Sequence, residues 1–82
     1  MGLEVEFRTK TQRRSARFTV LKPYRDQLGL RGDETVGMMI DSPTGHFEGV
    51  KELKSGSEVY GRDIREKGIR EDQPIRVKVW RL

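Results

Sequence analysis

The sequence predicts a mainly β domain with two short helices, its six strands closed into one barrel of two-fold pseudosymmetry. Two observations carry that expectation. Gly29-Leu30-Arg31-Gly32-Asp33-Glu34-Thr35-Val36 returns 39 residues later as Gly68-Ile69-Arg70-Glu71-Asp72-Gln73-Pro74-Ile75, both of the form glycine, apolar, arginine, any, aspartate, any, any, apolar. Around these copies, apolar residues alternate with polar ones at the period of a strand that buries one face. The match extends upstream: Val20 falls on Val59 at the same offset, and Tyr24-Arg25-Asp26 on Ile64-Arg65-Glu66 at 40. The 82 residues therefore read as one domain, 1–82, with internal repeats at 3–41 and 42–82. A unit of about forty residues cannot bury both faces of its own sheet, so a fused second copy supplies the cover. Closing six strands would also remove the exposed edges that invite aggregation.

Each copy reads as strand, strand, helix, strand. Leu3, Val5 and Phe7 alternate with Glu4, Glu6 and Arg8 in the first strand. After a basic turn, Ala16, Phe18 and Val20 alternate with Arg17 and Thr19 in the second. Pro23 fits the first position of a helix, where its fixed φ helps and its missing N–H costs nothing. That helix is expected over 24–28, with Tyr24 and Leu28 on one face, ended by Gly29 in the left-handed conformation. Val36, Met38 and Ile40 form the buried side of a third strand. Ser42-Pro43-Thr44-Gly45 is the strongest turn signal and marks the boundary between halves. In the second half a strand is expected over 46–53, with a bulge at Gly49 because Phe47 and Val50 break strict alternation. A turn over 54–57, a strand over 58–60 and a helix over 62–67 closed by Gly68 follow. Ile75, Val77 and Val79 alternate with Arg76, Lys78 and Trp80 in the last strand, which Pro74 can only begin.

Composition narrows the function. The chain has 17 Lys and Arg against 13 Asp and Glu, a formal net charge of +4. From Arg8 to Arg17 stand five basic residues, Arg8, Lys10, Arg13, Arg14 and Arg17, and no acid, which leaves 12 basic to 13 acidic elsewhere. The whole excess sits in one hairpin. Guanidinium forks interleaved with Thr9, Thr11, Gln12 and Ser15 suit phosphate contacts. With no cysteine, disulfides, iron–sulfur clusters and thiol nucleophiles are excluded, which fits a reducing, cytoplasmic setting. No apolar stretch is long enough to span a membrane, and Met1-Gly2-Leu3-Glu4 shows no charged-then-apolar pattern, so neither a membrane span nor a secretion signal is expected.

Residues 18–36, Phe18-Thr19-Val20-Leu21-Lys22-Pro23-Tyr24-Arg25-Asp26-Gln27-Leu28-Gly29-Leu30-Arg31-Gly32-Asp33-Glu34-Thr35-Val36, resemble the β-α-β signature of the AbrB-like (SpoVT/AbrB) transcription regulators. The helix pattern of an apolar residue, Arg, two variable residues and Leu-Gly-Leu is matched position for position, and Gly32-Asp33 is similar to the GD-box turn of cradle-loop barrels. The family's proline-lysine pair stands reversed here as Lys22-Pro23, and the second half departs further, with Glu71-Asp72 for Gly-Asp and Lys67 for Leu. The resemblance implies a cradle-loop barrel. Both copies in one chain are more similar to the RIFT and double-psi types than to the single-copy AbrB chains, which dimerise. It also implies DNA binding through basic residues of the N-terminal strands and loops. Other cradle-loop barrels serve as protein-recognition N-domains of AAA ATPases or as parts of enzymes, so fold alone does not decide.

Catalytic and metal chemistry find no support in the sequence. His46 is the only histidine, and no carboxylate spacing suits zinc. No phosphate-cradling glycine motif occurs, and Ser55 and Ser57 read as turn residues rather than nucleophiles. Arg31-Gly32-Asp33 is turn chemistry rather than an adhesion signal, and Trp80 is expected to cap the core rather than to stack on a base. The expected function is duplex DNA binding in transcription regulation, with Arg8, Lys10, Arg13, Arg14 and Arg17 on phosphates and Arg13 or Arg14 reaching a base edge. No catalytic residue, cofactor or metal is expected. A homodimer is left open, and the alternative partner is an acidic protein. About four phosphate contacts would give a slope of log affinity on log salt near −3.6.

Overall fold

The computed structural model describes residues 4–30, 34–54 and 57–82. The expectations for Leu3, for the Arg31-Gly32-Asp33 turn and for Ser55 lie outside them. In chain order the elements are β1 (Glu4–Lys10), β2 (Phe18–Thr19), α1 (Lys22–Leu28), β3 (Thr35–Asp41), β4 (His46–Glu52), β5 (Glu58–Val59), α2 (Arg62–Glu66) and β6 (Pro74–Arg81). The fold is mainly β with six strands and two short helices, as the alternation predicts.

The strands form a four-stranded sheet of order β1-β6-β3-β4 and a two-stranded sheet β2-β5, antiparallel throughout. The sheets are not closed into a barrel, against the expectation. β2 and β5 are two residues each and pair with one another, so no ladder continues from the sheet edges β1 and β4. Only a few backbone bonds tie the edges to the small sheet at its corners, Gln12 N–H to the Arg17 carbonyl at 3.0 Å on one side, and Lys54 N–H to the Glu58 carbonyl at 2.9 Å with Ser57 N–H to the Lys54 carbonyl at 2.8 Å on the other. Charged outward side chains, Glu4, Glu6, Arg8 and Lys10 on β1, protect the open edge instead.

The pairing pattern maps onto itself when β1 is exchanged with β4, β2 with β5 and β3 with β6. The registers locate the one difference in length. Glu4 pairs with Trp80, and Asp41, 39 residues before Trp80, pairs with His46, so β1 lies 42 residues from β4 while β3 lies 39 from β6. At the 39-residue offset Thr19 of β2 faces its own counterpart Glu58. The loop between the first two strands is thus three residues longer in the first half, and it is the basic one.

The inner face of the large sheet, α1, α2 and the small sheet enclose one core of Val5, Phe7, Phe18, Val20, Leu28, Val36, Met38, Ile40, Phe47, Leu53, Val59, Ile64, Ile69, Ile75, Val77 and Val79 with their buried neighbours. Gly29 ends α1 at φ 70°, as read from sequence, whereas the helix begins at Lys22, so Pro23 is its second residue rather than its first. Gly49 makes no bulge: β3 and β4 pair without interruption from Thr35↔Glu52 to Asp41↔His46. The alternation is kept because Val50 turns outward, 57% exposed, and Lys51 turns inward. Trp80 does not cap the core. It lies on the outer face over Gly37, where a Cβ would collide with the indole, so that glycine is required by its cross-strand neighbour.

Candidate nucleic-acid interface

The loop over residues 11–17 is anchored at its base. Thr11, 2% exposed, donates from Oγ1 to the Arg70 carbonyl at 2.8 Å and accepts the Gln73 N–H at 2.9 Å. The Thr11 N–H bonds the Gln73 carbonyl, and the Asp72 N–H bonds the Gln12 carbonyl, each at 2.9 Å. Ala16, buried, closes the far side. A tip fixed at both ends spends less conformational entropy on meeting a partner than a free loop would.

The five basic residues read from the sequence fall into three groups. Arg13 and Arg14 form the exposed tip and make no ion pair or side-chain hydrogen bond among the described residues. Arg8 is exposed on the outer face of β1, directly across from Arg76. Lys10 and Arg17 are matched by carboxylates. Lys10 Nζ lies 3.0 Å from Asp72, and Arg17 Nη1 lies 3.2 Å from Glu58. Arg17 also donates from Nε to Ser15 Oγ at 3.0 Å and stands over the Tyr60 ring, 4.9 Å from its centroid. Among the described residues, therefore, Arg8, Arg13 and Arg14 are left without a carboxylate partner, rather than all five.

Two further cations adjoin the loop. Arg62 and Arg65 of α2 line a cleft with Ser15, Ala16, Arg17, Tyr60 and Gly61. They escape a reading by charge runs because Asp63 and Glu66 stand among them. Three-residue spacing on a helix nevertheless puts both arginines on one face, while Asp63 turns to Lys51 at 3.0 Å.

On the outer sheet face, Arg76 Nη2 and His46 Nδ1 converge on Asp41, at 3.0 and 2.6 Å. The hydrogen bond from His46, then that from Arg76, hold the Asp41 carboxyl below the usual range, and the same Asp41 contact raises His46. The cluster neutralises one row of the face. Among the described residues no group of His, Asp and Glu is arranged to hold a metal ion, and no helix is long and apolar enough to cross a membrane.

Comparison of the chain with known protein families, with characterised proteins and with solved structures finds no match. The likeness of residues 18–36 to the AbrB-like regulators stands on those residues alone.

Proposed function

We propose that the protein binds duplex DNA through the 11–17 loop, in the manner of an AbrB-like transcription regulator. The observation that carries the reading is the pair Arg13 and Arg14, exposed and without a matching carboxylate among the described residues, at the tip of a loop that is three residues longer than its counterpart and fixed at its base. Arg8 extends the positive surface onto β1. In this reading the molecule is an opened relative of the cradle-loop barrels, built from a duplicated strand-strand-helix-strand unit, and the pairing pattern that survives exchange of the halves supports it.

Phosphate contacts release condensed counterions, so binding must weaken with salt in proportion to their number. Three free arginines give a slope of log affinity on log salt of about −2.7 on duplex DNA. Arg13→Ala with Arg14→Ala should bring the slope to about −0.9, weakening every sequence alike unless one of the pair reads a base edge. Fluorescence anisotropy of a labelled duplex across a salt series measures both. Binding that is indifferent to salt, or to the double substitution, would end the proposal.

A further inference from the structure

We infer that the cleft between the 11–17 loop and α2 is a binding site for an unpaired nucleotide, free or within a single strand. It goes beyond the duplex reading, because its chemistry comes from Tyr60, Arg62 and Arg65 rather than from the loop tip. The cleft encloses 390 Å³, at the small end of the roughly 300–1,000 Å³ of small-molecule sites. Three arginines line it and no carboxylate does.

The three have different work. Arg17 is held by Ser15 and Glu58 and lies against the Tyr60 ring, so it fixes the ring instead of meeting a ligand. Tyr60 keeps 40% of its surface exposed. An aromatic ring braced by a guanidinium and open to solvent is a platform on which any base can stack. Arg62 makes no ion pair among the described residues, and Arg65 makes only a long one, its Nη1 3.8 Å from Glu71 Oε2. One turn of helix holds both guanidinium groups on the side of the cleft, where they suit a phosphate bidentately. Ala16 gives an apolar wall. A flat ring joined to a phosphate satisfies every part of this surface, whereas phosphate alone leaves Tyr60 unused. Duplex DNA, its bases stacked inside, cannot offer the ring.

The test is an amide chemical-shift titration with adenosine monophosphate, with inorganic phosphate, and with an oligothymidylate of about eight residues, long enough for one single-strand site. Expected shifts centre on residues 15–17 and 60–65, larger for the nucleotide than for phosphate. Response to both the monophosphate and the oligonucleotide assigns the site to free and strand-borne nucleotides, and response to the oligonucleotide alone assigns it to strands. Tyr60→Leu should weaken binding about tenfold, the value of one stacked base. Arg62→Gln with Arg65→Gln, at exposed positions, should abolish it even if the tyrosine variant folds poorly. No shift in the cleft, or equal shifts from phosphate and nucleotide that Tyr60→Leu leaves unchanged, would overturn the inference. Duplex binding by Arg13 and Arg14 is scored separately, so either proposal can fail alone.

Discussion

The two halves fasten their helices to their edge strands by different chemistry. In the first, Phe7 of β1 stacks on Tyr24 of α1, ring centroids 4.7 Å apart and planes 15° apart. In the second, the counterpart of Phe7 is Gly49, and Lys51 makes the tie instead, reaching Asp63 at 3.0 Å and the Tyr60 carbonyl at 3.2 Å. Space beside Gly49 is taken by the Phe47 ring. A backbone that repeats therefore places no demand for repeated side chains, only for a contact between the same two elements. An aromatic stack is insensitive to salt and acid, whereas an ion pair near the surface answers to both.

The largest break in this symmetry should come from Phe7→Ala. Phe7 is 4% exposed, and removing a buried aromatic costs about 3–5 kcal/mol through lost transfer energy and the cavity left behind. At ~4–8 °C per kcal/mol for a domain of this size, the melting temperature should fall by more than 12 °C. Thermal unfolding followed by circular dichroism measures it, and a fall of only a few degrees would mean that the stack does not brace α1. Lys51→Met should cost much less. The stem is mostly covered, 11% exposed, but Asp63 is 51% exposed and water takes over its solvation, so a loss below ~1 kcal/mol is expected in urea unfolding. Equal losses from the two substitutions would erase the distinction.

How far this was legible follows the same divide. Period-two alternation placed Val36, Met38 and Ile40, and Ile75, Val77 and Val79, on the buried face correctly, because a one-residue slip would invert every side chain. Pro23 and Gly29 placed α1 through their own backbone limits. The misses arise where a side chain's direction is set by a distant partner. Phe47 and Val50 suggest a bulge at Gly49 because they break strict alternation, but it is Lys51 that turns inward; its partner Asp63 lies twelve residues on, in another element. The barrel failed to close because strand length, unlike strand face, is decided by hydrogen bonds to neighbours that no local pattern reports. At the candidate interface the charge run named the loop, but Lys10 and Arg17 find carboxylates at Asp72 and Glu58, far along the chain. Arg62 and Arg65 join only through helical spacing and the topology that sets α2 beside the loop.

The smallest effect separates the halves by pH. Partial burial works to raise the Asp63 carboxyl, but the hydrogen bond and charge of Lys51, with the Ile64 N–H at 3.0 Å, outweigh it and hold the group below its ordinary value of 3.8. The unfolded chain then binds this proton before the native state does as pH falls. Stability from the Lys51–Asp63 tie is accordingly complete above the unfolded pKa and disappears as pH drops through the folded one. The Phe7–Tyr24 stack contains no carboxylate. Urea unfolding at pH 6 and pH 3 should therefore show a smaller acid loss in Asp63→Asn than in the unsubstituted protein, while Phe7→Ala keeps the full acid loss on a lower baseline. Lys51→Met should behave like Asp63→Asn, since without the ammonium the carboxyl returns toward its unfolded value. If the asparagine variant lost as much stability in acid as its parent, the second half would be fastened by something other than this pair.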